Sequence, residues 1–190
     1  MARWEPEARE RLVRAALDLF TEQGYDNTTV AEIAERAGLT KSTFFRHFPD
    51  KREVLVAGQD TLCRLLADAI AAAPATATPM EAVAAALDAA AQAFTPGRRD
   101  LGPKMQAVIA ASSELQERDA LKRVGLATAM TDALRKHGVP DPTASLAAEL
   151  GVLALKIAHA RWADPANQQE LADLARQSLL ELQAASAALS

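Results

Sequence analysis

Thr29-Val-Ala-Glu-Ile-Ala-Glu-Arg-Ala-Gly-Leu-Thr-Lys-Ser-Thr-Phe-Phe-Arg-His-Phe-Pro49 is the stretch whose reading decides the fold. Thr29-Val-Ala-Glu32 has the form of a capping box, in which a threonine hydroxyl and a glutamate three residues on satisfy each other's backbone N–H groups at a helix start. Val30, Ile33, Ala34 and Ala37 then recur at helical spacing, and Gly38 closes the helix after about two turns. Thr40 is a good N-cap for a second short helix, Lys41–Phe48, which Pro49 ends. Phe44 and Phe48 are four apart and share one face with Leu39 nearby, while Lys41, Ser42, Thr43, Arg46 and His47 occupy the rest. So short a helix does not hold itself together in water, so its phenylalanine face must be clamped and its polar face displayed. Two short helices joined by a tight glycine-containing turn have the spacing of a helix-turn-helix.

Upstream, Val13, Ala16, Leu17 and Phe20 form one apolar stripe of a helix running from about Glu5 to Gln23, which Gly24 stops. Downstream, Asp50-Lys-Arg-Glu53 reads as a second capping box, predicting one long fourth helix to about Ala73. Thr78-Pro-Met-Glu81 restarts a helix that Pro96-Gly97 breaks. A segment over about 100–111 and a long helix over about 114–136 follow. Asp141-Pro142 and Asp164-Pro165 are expected to open the last two helices. The sum is about nine helices and no strand. Alanine, the best helix former, dominates the apolar residues, so the predicted class is all-α.

The 190 residues, 49% hydrophobic and 24% charged, are those of an ordinary globular chain. The first residues lack the apolar stretch of a signal peptide, and the apolar runs fall short of a bilayer span, so no membrane partner is expected. The single Cys63 permits no internal disulfide, in keeping with a reducing cytoplasm. No metal-ligand spacing, no Ser/His/Asp set and no glycine-rich phosphate loop occurs, so neither an enzyme nor a metal or other cofactor is predicted. Net charge is −4, yet residues 1–52 balance at nine basic and nine acidic, and Thr40–Arg52 holds four basic residues against one acidic. The acidic excess therefore lies elsewhere, and a basic cluster sits on the second short helix and just beyond it.

Residues 7–57 resemble the TetR family of transcriptional regulators. The match is carried by the stretch quoted above, by Asp50-Lys-Arg-Glu-Val-Leu55 after it, and by Ala15-Ala-Leu-Asp-Leu-Phe-Thr-Glu-Gln-Gly-Tyr-Asp-Asn-Thr28 before it. The resemblance implies an all-α homodimer with an N-terminal DNA-binding domain, here residues 1–50, and a C-terminal effector-binding and dimerisation domain, residues 51–190. By the same resemblance, Thr29, His47 and Lys51 match phosphate contacts, and Thr40, Lys41, Ser42 and Thr43 match the start of the recognition helix. Phe45 departs from the pattern, which commonly has a tyrosine there whose hydroxyl reaches a phosphate. Independently of the family, the N-terminal turn of such a helix is the part that enters the major groove, where Lys41 and Arg46 suit guanine edges and Ser42 and Thr43 suit either base type.

The implied function is a repressor on palindromic operator DNA, released by a small, mainly apolar effector. Met105, Ile109, Met130, His159 and Trp162 are the candidate effector contacts, since methionine adapts to varied shapes and alanine leaves space. The last two helices are the expected homodimer interface: Leu146, Leu150, Leu153 and Ile157 form a stripe on one, and Leu171, Leu174, Leu179 and Leu182 lie on the other, with Gly151 allowing close approach. Alternatives are a regulator without effector, an activator, and a helical binding or carrier module that has lost DNA binding.

Overall fold

The computed structural model describes residues 5–55, 57–94, 99 and 101–189, with only the backbone of Glu5 and Pro6. Among these residues there are nine α-helices and no strand: α1 (Glu5–Gln23), α2 (Val30–Arg36), α3 (Lys41–His47), α4 (Gln59–Ala71), α5 (Pro79–Ala93), α6 (Leu101–Ala110), α7 (Ser113–Lys136), α8 (Thr143–Trp162) and α9 (Leu171–Ala187). The Pro96-Gly97 break lies outside the described residues.

The helices form two compact units, and these do not follow a single cut in the chain. Residues 1–57 and 101–121 make the first, and 58–100 with 122–190 make the second. Thus α6 and the start of α7 fold with the N-terminal helices, although the sequence assigns them to the C-terminal domain. The reason is apolar: Leu101, Val108 and Leu115 are buried in one core with Leu12, Leu17, Phe20, Ile33, Phe44 and Phe48. An exposed ion pair, Lys104 Nζ to Asp18 Oδ1 at 2.6 Å, also joins α6 to α1.

The expected long fourth helix is interrupted. Asp50 Oδ1 does accept from the N–H groups of Arg52 (2.8 Å) and Glu53 (3.2 Å), as a cap should. The turn it starts is a 3-10 turn, Arg52–Val54, and α4 begins only at Gln59. Gly58 stands between them at φ +88°, a left-handed conformation that glycine adopts without steric cost and that no continuous α-helix contains.

The second unit is built on alanine. Val83, Ala86, Leu87 and Ala90 of α5 pack with Met130, Ala148, Val152, Ala154 and Leu155, and with Leu174, Ala175 and Leu179 of α9. Gly151 is where the backbone comes closest: a Cβ there would stand 2.7 Å from Val83 and 2.8 Å from Met130 Cε. The small residue therefore serves packing within the chain. By length and composition α8 could cross a membrane, with a mean hydropathy of 1.2, contrary to the reading that no apolar run is long enough. Its buried residues, from Ala144 to Trp162, lie in this core. Asp164-Pro165 does not open the last helix. Asp164 Oδ1 accepts from Ala166 N–H (2.9 Å) and Asn167 Oδ1 from Gln169 N–H (3.1 Å), so two successive side-chain turns delay α9 to Leu171.

Candidate nucleic-acid interface

The Thr29 capping box forms as read. The Thr29 hydroxyl accepts from Glu32 N–H at 3.3 Å, and Glu32 Oε2 accepts from Thr29 N–H at 2.8 Å and from its hydroxyl at 2.7 Å. These bonds from the Thr29 hydroxyl and N–H hold the Glu32 carboxyl below its ordinary range. At the other end of α2, Gly38 N–H donates to Glu35 O and Leu39 N–H to Ala34 O, both at 2.8 Å. This paired pattern is a Schellman motif, and it requires the left-handed φ of +65° at Gly38. The chain then turns into Thr40, whose hydroxyl caps α3 by accepting from Thr43 N–H at 3.1 Å and lies 2.9 Å from the Thr43 hydroxyl.

The α3 helix is clamped from below. Phe44 and Phe48 are fully buried, with ring centroids 5.5 Å apart, and Leu39 packs beside them. What remains outward is Lys41, Ser42, Phe45 and Arg46, all exposed, with Thr43 and His47 partly so. Neither Lys41 nor Arg46 has a carboxylate partner among the described residues, and Lys41 Nζ lies 5.9 Å from the Phe45 ring centroid. Two other arginines of this unit do have carboxylate partners: Arg36 in Glu22 at 2.8 Å, and Arg52 in Asp50 at 2.7 Å and Glu114 at 3.5 Å. Lys41 and Arg46 thus leave two exposed positive charges on the outward face of α3. Phe45 is 49% exposed, an unusual place for a phenylalanine.

Lys51 is not on that outward face. Its ammonium donates to the carbonyls of Tyr25 (2.6 Å) and Thr28 (2.9 Å), with a longer approach to Asp26 O at 3.5 Å, and sits 4.2 Å from the Tyr25 ring centroid. Two arginines that the sequence reading did not single out also shape the site. Arg11 of α1 donates to the Ala37 carbonyl in the turn between α2 and α3, and Arg9 covers the Phe48 ring at 5.2 Å. No local pattern announces either contact, because the partners lie 26 and 39 residues away in the chain.

The five candidate effector residues fall in both units. Met105 and Ile109 are half-buried against the core of the first. Met130 and Trp162 are buried in the second, where the His159 ring stands edge-on to Phe94 (4.6 Å between centroids) and to Trp162 (5.6 Å). Burial, and secondarily the charge of Lys122, lowers the His159 pKa to about 4. Arg99 closes one side of this cluster by donating to the Trp162 carbonyl at 2.9 Å.

Residues 12–57 match the family described as bacterial regulatory proteins, tetR family. The chain is 40% identical over 81 residues to the HTH-type transcriptional regulator TcmR of Streptomyces glaucescens, covering 43% of this chain and 36% of that protein. It is also 40% identical over 82 residues to the regulator BetI of Rhizobium meliloti, covering 43% and 40%. Each match thus spans well under half of the relative's length. Two solved structures share the fold over nearly the whole chain. A TetR-family regulator from Syntrophomonas wolfei has a TM-score of 0.61 at 18% identity, covering 93% of each chain. The SmeT–triclosan complex has 0.56 at 24%, covering 94% of this chain and 90% of that one. Residues 12–57, which hold the helix-turn-helix described above, thus match the tetR family of bacterial regulatory proteins, and over nearly the whole chain the fold is that of these two structures.

Proposed function

We propose that this chain is a cytoplasmic, homodimeric transcriptional repressor that lays α3 in the major groove of a palindromic DNA operator. The observation that carries this reading is the divided surface of α3. Phe44 and Phe48 fix it to the core, while Lys41, Ser42 and Arg46 stand exposed, and Lys41 and Arg46 have no carboxylate partner among the described residues. In the groove, Lys41, Ser42 and Thr43 reach base edges from the first turn, Arg46 reaches a guanine, and Thr40 and His47 meet phosphate oxygens, as does Thr29 once its hydroxyl turns from the exposed Glu32 carboxylate to the DNA. Phe45 contributes van der Waals contact only, having no hydroxyl to donate. Selection of bound fragments from random duplex DNA, followed by a mobility shift on the enriched sequence, tests the reading. Enrichment of an inverted repeat is expected, and no enrichment would overturn it.

The homodimer reading is supported by α8 and α9. Leu146 (59% exposed) and Leu153 (41%) line up with half-buried Leu150 and Ile157 on α8, and Leu180 (66%) is exposed on α9. Such a ridge is unusual on a free surface and suits a second copy of itself. Leu171, Leu174 and Leu179, by contrast, are buried within the chain and belong to its core. For the effector, the Phe94–His159–Trp162 cluster is the candidate contact region of the second unit, with Met130 beside it in the same core. SmeT, a protein of the same fold, was solved with triclosan. A small, mainly apolar molecule that binds here and lowers operator affinity completes the repressor reading, and Met105 and Ile109 remain candidates from the first unit. Screening apolar compounds for a raised melting temperature, then for operator release, tests that step. A saturating binder that leaves operator affinity unchanged would exclude this region as the switch.

A further inference from the structure

We propose that Lys51 is a positioning residue of the DNA-binding surface, holding the α1–α2 loop and hence Thr29 in place, and that it does not itself meet a phosphate. This rests on the DNA-binding reading above and refines which residues of the site touch the nucleic acid.

The loop over 24–28 is a closed turn whose carbonyls converge. Gly24 O accepts the Thr28 hydroxyl at 2.8 Å, and Tyr25 O accepts Thr28 N–H at 3.2 Å. Thr28 is 2% exposed and Tyr25 is 7% exposed, so these two residues anchor the turn to the core while Asp26 and Asn27 at its tip are exposed. Convergent carbonyl dipoles repel one another unless a cation lies among them, and the Lys51 ammonium supplies it. An ammonium has three N–H groups and no more. Here two are committed at 2.6 and 2.9 Å, the third points toward Asp26 O at 3.5 Å, and the Tyr25 ring takes up the remaining approach at 4.2 Å. A phosphate would have to displace one of these carbonyls. The turn is pinned from another direction as well, since the Tyr25 hydroxyl donates to Glu114 Oε1 at 3.2 Å. Thr29, the first residue after the turn, therefore inherits its position from Lys51.

The test compares the full chain with Lys51→Met, which keeps the apolar stem and loses the charge, and Lys51→Arg, which keeps the charge but replaces the compact ammonium with a planar fork. Operator affinity is measured across salt concentrations, and amide hydrogen exchange at Thr28 is followed without DNA. Both variants are expected to weaken operator binding about tenfold while keeping the wild-type salt slope, because no phosphate contact is lost. Thr28 exchange is expected to accelerate at least about tenfold in Lys51→Met as the turn opens. A salt slope reduced by about one unit in Lys51→Met, with Lys51→Arg binding like wild type, would overturn the proposal, as one phosphate contact behaves that way. Unchanged Thr28 exchange would overturn it too. Should Lys51→Met fail to fold, Lys51→Arg decides by affinity and Thr28 exchange: weaker binding with faster exchange is expected, and wild-type values of both would overturn the proposal. If the wild type enriches no DNA at all, the DNA-binding reading is what fails, and the exchange measurement still decides whether Lys51 holds the turn.

Discussion

Gly38 leaves open the space that the Arg11 side chain fills: a Cβ at Gly38 would come within 2.7 Å of Arg11 Nη2. Arg11 reaches this point to donate to the Ala37 carbonyl, so the turn between α2 and α3 and the side chain that braces it share one small volume. Gly38 also sits at φ +65°, where any side chain is strained. Gly38→Ala is therefore expected to destabilise the chain by about 1–2 kcal/mol, through backbone strain and displacement of Arg11. Denaturant unfolding measures this, and a neutral or stabilising result would contradict the brace.

Arg46→Ala is expected to lose about 1–3 kcal/mol of operator affinity and to relax the base preference at one position per half-site, as removal of a guanine contact does. Repeating the DNA selection with the variant reads this directly. Equal weakening on every sequence would reassign Arg46 to a phosphate.

Phe45→Tyr adds a hydroxyl to a ring that is already 49% exposed, so nothing in the core has to move. Operator affinity is expected to rise by about 0.5–1.5 kcal/mol through one added hydrogen bond to phosphate, with the melting temperature unchanged. A mobility shift series checks it, and unchanged affinity would place the ring away from the backbone of the DNA.

The two leucines of the last helices part company. Leu153→Glu places a charge on the exposed ridge and is expected to give a folded monomer by light scattering. Leu179→Glu places it in the core and is expected to cost about 3 kcal/mol or more and to unfold the chain. A folded dimeric Leu153→Glu variant would move the interface off α8.

Acid should weaken the second unit through His159. Its pKa is lowered to about 4 from an ordinary 6.5, because burial disfavours the charged ring and Lys122 repels it. Between these values the unfolded chain binds a proton that the folded chain does not, so stability declines as pH falls from about 6.5 to 4. The loss is of the order of 2 kcal/mol once the partial exposure of the ring is allowed for. His159→Gln should flatten that part of the pH profile, and an unchanged profile would contradict the assignment.

How much of this was legible in the sequence depends on how local each cause is. The Thr29 and Thr40 caps, the Gly38 turn and the buried Phe44 and Phe48 all follow from residues within four positions of one another, and each appears as read. The interruption before α4 did not, because Gly58 inside an apolar pattern looks like a tolerated glycine until its φ is known. The roles of Lys51 and Arg11 were hidden for a different reason. A lysine beside a DNA-binding helix invites a phosphate, and only the folded chain shows three carbonyls already around its ammonium. Leu153 and Leu179 were likewise indistinguishable by periodicity, since apolar stripes tell which faces are covered and not by which neighbour.

The seven residues of α3 divide their labour unevenly: Phe44 alone is buried within the helix, with Phe48 just beyond its end. Exposed positions typically change stability by no more than about 0.5 kcal/mol when substituted. Lys41, Ser42, Phe45 and Arg46 are therefore free to be rewritten without endangering the fold that presents them. A duplicated copy of this chain can drift toward a new operator through these four positions while its core stays intact, which separates the evolution of what is read from the evolution of the reader.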